Sequence, residues 1–150
     1  MEDLNTVKKD LKALFRSQNL AVLATQEGDR PYLTLVAFVS SEDLRYLLFT
    51  TTRSTRKYAN LSASSGVAML VDNRSNEPSD FRWAMAVTAT GKAEEIDRNQ
   101  EKELFDAYLA KHPHLQEFAT SPTCAFVRIR VDTYYVVTRF QKVLEVHVNP

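Results

Sequence analysis

The sequence has few cysteines and no surplus of either charge. Its 150 residues include one cysteine, Cys124, so no disulfide can form within the chain and no cysteine-based metal site is indicated. A lone cysteine fits a reducing compartment. Nineteen Lys and Arg residues balance nineteen Asp and Glu residues, giving a net charge of zero. Polyanion binders usually carry a basic surplus, so the balance disfavours nucleic acid as a partner but leaves room for one small anion.

The sequence also lacks long apolar segments. No run approaches the roughly 20 apolar residues of a membrane-spanning helix. The N-terminal segment is charged from its second residue and lacks the apolar stretch of a signal peptide. We therefore expect a cytoplasmic protein with no membrane partner. No Ser-His-Asp order, paired-carboxylate pattern or Walker loop is apparent, so any catalysis is expected to belong to a cofactor.

The apolar residues that are present, with a hydrophobic content of 44%, suffice for a single domain over residues 1–150. The spacing of apolar residues predicts an amphipathic helix over residues 3–18. Strands are predicted at 19–25, 32–39 and 44–50, joined by short turns as an antiparallel meander. In the second strand, Leu33 and Leu35 share one face, while Thr34 and Val36 share the other.

Further helices and strands alternate in the second half of the chain. A short helix at 55–64 has Ser54 as its predicted N-cap. The remaining predicted elements are a strand at 66–72, a polar loop at 73–83, a strand at 84–96 with a bulge at Gly91, a helix at 97–112, and strands at 123–131, 133–140 and 142–148. Many strands at short spacing, with helices as separate insertions, predict an antiparallel barrel with peripheral helices. Two interpretations of Trp83 stay open, stacking near a bound ligand or plugging one barrel end, and the plug is favoured because aromatic residues mostly serve packing.

A basic cluster stands out in the segment TTTRSTRKYANL, residues 50–61. No acidic residue occurs between Asp43 and Asp72. With Ser54 as the N-cap, Arg56 and Lys57 fall in the first helical turn, where the helix dipole disfavours each cation by roughly 0.3–1 kcal/mol.

Two interpretations of this cluster stay open. In the first, free backbone N–H groups, the two cations and the hydroxyls of Thr51, Thr52 or Ser54 converge on a phosphate. In the second, the segment is a solvated turn whose cations reach partners elsewhere.

Three segments resemble the FMN-binding split barrel of the pyridoxamine-5′-phosphate-oxidase-like superfamily. They are EGDRPYLTLVAF, LLFTTTRSTRKYANL and GVAMLVD, and the resemblance covers roughly residues 15–92. The shared pattern is a Gly-x-x-Pro turn into a strand, a strand ending in Phe-Thr, a helix start with Ser, Arg and Lys, and an Asn-Leu pair. The matching residues are Gly28, Pro31, Phe49, Thr50, Ser54, Lys57, Asn60 and Leu61.

The resemblance implies a mainly β (α+β) fold, an antiparallel six-stranded split β-barrel with peripheral helices. It also implies FMN bound without a covalent bond, in a homodimer with the flavin at the subunit interface.

The resemblance also implies a set of cofactor-binding residues. Arg56 and Lys57 would hold the FMN phosphate, aided by Thr51 or Ser54. The isoalloxazine ring would lie beside Thr34, Leu35 and Val36, with Thr50 near its polar edge. The substrate-binding Arg and His of the oxidase itself have no match near the C-terminus. Arg139 is the best remaining cation for stabilising negative charge near the ring.

These observations leave three functional hypotheses. The first is an FMN-dependent oxidoreductase for an unidentified small molecule, with no catalytic residue assigned. The second is a non-catalytic binding module of the same fold that holds flavin, haem or a deazaflavin. The third is a plain interaction domain whose basic turn meets an acidic partner. No metal site is predicted, because His112 and His114 lack a third ligand.

Overall fold

The computed structural model of the protein describes residues 3–139 and 142–149. It contains seven strands, which are β1 (Leu20–Glu27), β2 (Arg30–Ser40), β3 (Tyr46–Thr52), β4 (Gly66–Asp72), β5 (Met85–Ile96), β6 (Cys124–Thr138) and β7 (Lys142–His147). It contains five α-helices, which are α1 (Leu4–Ser17), α2 (Arg56–Ala63), α3 (Asp80–Trp83), α4 (Lys102–Lys111) and α5 (Gln116–Thr120). A 3₁₀ turn at Pro113–Leu115 precedes α5.

Six of these strands form a closed antiparallel ring. The sheet order is β3-β2-β1-β4-β5-β6-β7, and an additional pairing of β3 with β6 closes the ring. β7 lies outside the ring and pairs with the C-terminal half of β6. The predicted six-stranded barrel with peripheral helices is therefore confirmed. No helix in the described part of the chain is long and apolar enough to cross a membrane.

The two strands predicted at 123–131 and 133–140 are one continuous strand, β6, of 15 residues, and residue 140 of the predicted range lies outside the described residues. Its N-terminal half pairs with β3 and its C-terminal half with β7. The predicted bulge is confirmed, because the register against β5 shifts between Thr90 and Gly91. The extra residue on β6 is Asp132. It shifts the alternation of inward- and outward-facing side chains along β6 by one residue.

The core of the barrel combines inward-facing strand side chains with the apolar face of α1. Val7, Leu11, Leu14 and Phe15 of α1 are buried in the same cluster as the interior of the ring. The ring of Phe15 meets that of Phe38 edge-on at 5.9 Å. A second, smaller cluster lies between α4 and the outer surface of β3 and β6, and consists of Leu48, Phe105, Tyr108, Ala119 and Phe126.

Two predictions about the connecting segments are wrong. The helix predicted from residue 97 begins at Lys102, because the Asp97 carboxylate accepts the backbone N–H groups of Asn99 and Gln100 and forms a turn instead. The loop at 73–83 contains α3, and Trp83 is 70% exposed, so it is not a barrel-end plug.

The bulge yields a stability prediction at Gly91. A Cβ atom added at Gly91 would lie 2.1 Å from the backbone oxygen of Arg130, so the strands would have to separate. We expect Gly91→Ala to destabilise the fold by about 3 kcal/mol, at the upper end for overpacking. Thermal unfolding should show a melting temperature lower by roughly 6–12 °C. Gly66→Ala is the matched control, because its added Cβ meets nothing within 4 Å. Equal melting temperatures for the two variants would contradict this account of the bulge.

Candidate functional site

The barrel is open along one seam, where β2 and β3 diverge. Their pairing ends at Phe38 and Phe49. Beyond this point residues 30–37 of β2 pair with β1 on one edge, and residues 50–52 of β3 pair with β6. Among the described residues, the facing edges of these two segments have no strand partner. We call this opening the seam.

Backbone groups of β2 point into the seam. The Phe38 N–H donates to the Asn19 carbonyl at 3.3 Å, which sets the alternation of the β1–β2 ladder. In an antiparallel pair every second residue turns its N–H and C=O outward, so Leu33 and Leu35 direct theirs to the seam. Ala37 follows the same alternation, and its carbonyl accepts the Tyr108 hydroxyl at 3.2 Å. The seam therefore offers donors and acceptors in alternation.

α2 begins close to one end of the seam, three residues after β3 ends. Its N-cap is Thr55 and not Ser54, so that prediction is wrong. The Thr55 hydroxyl accepts the Tyr58 N–H at 3.3 Å and donates to the Thr52 carbonyl at 3.0 Å. Arg56 and Lys57 become the first two helical residues, whose N–H groups have no acceptor within the helix. Both cations remain in the first turn, as predicted.

The two arginines of the cluster find acidic partners from distant parts of the chain. Arg53 binds Glu95 at 2.6 Å, and Glu95 also accepts the Tyr58 hydroxyl at 2.5 Å. Hydrogen bonding from Arg53 contributes most to holding the pKa of Glu95 below its usual value. Arg56 meets Glu27 at 3.1 Å, with both side chains more than 60% exposed. For the arginines, the expectation of partners elsewhere is therefore correct.

The Arg56 pair is weak enough to be exchanged. Exposed ion pairs contribute about 0–1 kcal/mol, which a doubly charged phosphate readily offsets. The Arg56 guanidinium also lies over the Tyr32 ring, 5.6 Å from its centroid.

Lys57 differs from its neighbours because it has no partner. The side chain is half-buried, and within residues 3–139 and 142–149 it makes no hydrogen bond or ion pair. Burial lowers the pKa of its ammonium group. A partly desolvated cation without a counterion is stabilised when an anion binds beside it. Lys57 is thus the strongest electrostatic sign of a ligand at the start of α2.

A groove separates the start of α2 from the β1–β2 turn. Its volume is about 730 Å³, and its lining includes Glu27, Gly28, Ser54, Arg56 and Asn60. Lys57 is in the same helical turn as Arg56 but is not one of the lining residues. The amide of Asn60 donates to the buried Thr25 hydroxyl at 3.0 Å, which fixes α2 against β1. Gly28 occupies the left-handed region with φ of 63°, which tightens the turn that forms the opposite wall.

The threonines of β3 point to opposite sides of the strand. Thr51 is buried, and its hydroxyl shares a 2.9 Å hydrogen bond with the hydroxyl of Thr55. Thr50 is also buried, and its hydroxyl shares a 2.9 Å hydrogen bond with that of Tyr108 on α4. The Thr50 side chain is therefore engaged on the outer side, and its backbone borders the seam.

The other predicted residues fall in two places. Thr34, Leu35 and Val36 lie along the seam, with Leu35 exposed and Val36 in the core. Arg139 follows β6, at the opposite end of that 15-residue strand from Cys124, which pairs with Thr52. At about 3.3 Å per residue, the length of β6 separates Arg139 from the start of α2.

Two residues that contact Arg56, Glu27 and Tyr32, were missed by the sequence reasoning. Both flank the turn of the Gly-x-x-Pro pattern, and Tyr32 shares the strand face of Thr34. The strand alternation was enough to identify Tyr32, but it was not used. The pairing of Glu27 with Arg56 depends on tertiary structure and leaves no signal in the sequence.

An antiparallel split barrel, with a groove beside the start of α2 at one end of its open seam, defines the structural class of this protein. The sequence profile of the pyridoxamine 5′-phosphate oxidase family matches residues 7–138. The chain belongs to this family, and its resemblance to the family is confirmed.

Solved structures with the same fold include proteins of different ligand classes. A haem-binding protein from Mycobacterium smegmatis superposes with a TM-score of 0.81 at 15% identity, covering 93% of this chain and 57% of that one. A putative pyridoxamine 5′-phosphate oxidase from Listeria innocua gives 0.69 at 14% identity, covering 87% and 98%. An FAD-binding protein from Mesorhizobium loti gives 0.67 at 16% identity, covering 85% and 90%. No curated protein matches the sequence. At such low identity these structures support the fold alone.

The described residues contain no group of three His, Cys, Asp or Glu side chains positioned to hold a metal ion. Two histidine rings are engaged within the chain. His112 is buried and bonds the Phe38 carbonyl at 2.8 Å, and His147 shares a 2.9 Å hydrogen bond with Thr133.

Proposed function

We propose that this protein binds FMN and acts as a flavin-dependent oxidoreductase on a small molecule. The observation that carries the proposal is Lys57, a half-buried cation with no partner in the described chain, at the start of a helix beside an open seam. Bound FMN would supply hydride or single-electron transfer, which no arrangement of side chains described above provides.

The phosphate end of the ligand is assigned to the start of α2. Lys57 and Arg56 would donate charge-assisted hydrogen bonds, and the first N–H groups of α2 would add to them. Ser54 is exposed at the groove, and the Thr51 hydroxyl holds the capping residue Thr55 in place. In this arrangement Arg56 exchanges Glu27 for the phosphate.

The ring end is assigned to the seam. The outward N–H and C=O groups of Leu33 and Leu35 alternate as donor and acceptor, which suits the imide edge of an isoalloxazine. Thr34 and Val36 border the ring from the same strand, and the backbone of Thr50 lies across the seam. Arg139 lies far from the start of α2 in its own chain. Its guanidinium would therefore reach the ligand from a second copy of the chain.

We further propose a homodimer. Leu33 and Leu35 are 65% and 64% exposed beside the ligand position. Their cross-strand neighbours on β1 are Ala24 and Val22, and Val22 in turn faces Leu70 on β4. This contiguous apolar face is of the kind that subunit interfaces cover.

The visible spectrum of the purified protein, before and after addition of FMN or haemin, tests the ligand assignment. We expect flavin absorption bands and saturable, stoichiometric FMN binding. A haem spectrum without flavin binding would contradict the proposal and favour a haem-binding module. A colourless protein that binds neither ligand would favour an interaction domain.

Consumption of a reduced nicotinamide by the FMN-loaded protein, with oxygen or another acceptor, distinguishes an oxidoreductase from a non-catalytic binder.

Glu27→Gln is expected to strengthen FMN binding, although it removes an ion pair from the folded chain. Removing a carboxylate 3.1 Å from Arg56 frees the guanidinium and removes repulsion of the phosphate. We expect FMN affinity to rise about two- to fivefold, as suits an exposed pair of up to about 1 kcal/mol. Riboflavin, which lacks the phosphate, should be unaffected, and Glu117→Gln on α5 is the control for a general charge effect. Weaker FMN binding by Glu27→Gln would contradict the exchange.

A further inference from the structure

A second cavity lies away from the seam, between α1, α4 and the turn that joins β2 to β3. Its volume is about 520 Å³, within the usual range for small-molecule pockets. Much of its wall is apolar, from Val39 on β2 and from Leu104, Ala107 and Ala110 on α4, with the buried Phe15 and Leu48 behind them. None of these residues belongs to the proposed flavin site.

Lys111 gives this cavity a polar anchor. Its ammonium donates to the carbonyls of Phe15 and Gln18, both at 2.7 Å, and lies 4.0 Å from the centroid of the Phe38 ring. An ammonium has three N–H donors, and the third has no acceptor among the described residues. Burial lowers the pKa of Lys111 to about 8, and no carboxylate forms an ion pair with it in the described chain.

The remaining charges of the cavity leave room for an anion. Lys12 and Arg16 line it from α1, while the acids that line it are Glu42 and Glu103. Both acids are exposed, and Glu42 is drawn to Arg16 at 3.6 Å. The carboxylates thus lie at the solvent-facing rim, and the half-buried ammonium has no negative charge beside it.

We propose that the cavity between α1 and α4 binds a small amphipathic carboxylate, with its carboxylate on Lys111 and its hydrocarbon body against Val39, Leu104 and Ala107. The apolar wall rewards burial of a short hydrocarbon chain at about 25 cal/mol per Å². The hydroxyl of a neutral alcohol can accept the third N–H of Lys111 but supplies no negative charge for the half-buried ammonium, so the ammonium favours an acid. Lys111 is the last residue of α4, and its ammonium also binds carbonyls at the C-terminal end of α1. A ligand on this ammonium would therefore connect α1 with α4. The site is independent of the flavin proposal.

Calorimetric titration with octanoate and with octan-1-ol tests the charge requirement. We expect one octanoate per chain and at least tenfold weaker binding of octan-1-ol. Lys111→Met should lose at least tenfold in octanoate affinity, whereas Lys9→Met, which removes an exposed lysine from α1, should not. Equal affinity for the two ligands, or full octanoate affinity in Lys111→Met, would overturn the proposal.

Two further measurements guard against a variant that merely misfolds. Ala107→Trp fills the cavity and leaves Lys111 intact, so it should abolish octanoate binding without changing FMN binding. Unchanged octanoate binding in Ala107→Trp would place the ligand elsewhere and overturn the assignment.

The pH dependence gives the second test. Octanoate affinity should fall at least tenfold between pH 7 and pH 9.5, as the Lys111 ammonium loses its proton. His112, next to Lys111, has its pKa lowered by burial, so it stays neutral over this range. Lys111→Met should not show this pH dependence. A wild-type affinity that is flat across the range would contradict the role of Lys111.

Discussion

Replacing Arg56 and Lys57 together with alanine is expected to weaken FMN binding at least tenfold. Each charge-assisted hydrogen bond to a phosphate contributes roughly 1.5–3 kcal/mol, so losses of a hundredfold or more are within reach. Riboflavin binding should change less, because riboflavin has no phosphate. Fluorescence titration of the flavin measures both affinities.

The single variants sharpen this prediction. Lys57 is half-buried and unpaired, whereas Arg56 is exposed and already has Glu27. We therefore expect Lys57→Ala to cost more affinity than Arg56→Ala. A double variant at Lys8 and Lys9, two lysines of α1, controls for the loss of two positive charges. FMN affinity that is unchanged in the Arg56/Lys57 double variant would refute the phosphate assignment.

Leu33→Glu combined with Leu35→Glu is expected to convert a homodimer into single chains of 17.1 kDa. Two carboxylates from each chain would have to be desolvated in the subunit interface, at a cost of several kcal/mol. We expect FMN binding to weaken with the loss of the partner, because Arg139 would reach the ligand from the second chain. Light scattering with and without FMN measures the mass.

Phe118→Glu is a suitable control for the dimer prediction. Phe118 is 42% exposed on α5, outside the face that contains Leu33 and Leu35. This variant should remain dimeric and bind FMN normally. A wild-type protein with bound flavin and the mass of a single chain would refute the homodimer.

Local patterns predict much of this fold. Apolar spacing predicts α1 to within one residue at each end, and alternation separates the two faces of β2, one of which carries the buried Val36 and Phe38. Gly91 marks the bulge because a side chain there would collide with Arg130. Each of these features depends on residues close together in the chain or on a single backbone requirement.

Features that depend on distant residues are not predictable in this way. Glu95 and Glu27 are more than 25 residues from the arginines that they bind. The choice of Thr55 over Ser54 as N-cap depends on where β3 ends in the fold, because serine is the better N-cap by residue type. For the candidate site, the sequence locates the cations and the strand beside them, but only the fold separates the paired arginines from the unpaired Lys57.

The closure of the ring has a consequence for how the protein folds. β3 and β6 meet across a long stretch of chain, with Leu47 opposite Ile129. Pairings between such distant residues require a large loss of chain entropy before any contact forms, so folding is expected on the millisecond-to-second scale. During synthesis β3 emerges well before β6, and its free edge is exposed until the chain has grown by some eighty residues. That edge, which carries Leu47, Leu48 and Phe49, is where we expect nascent chains to associate wrongly and chaperones to act.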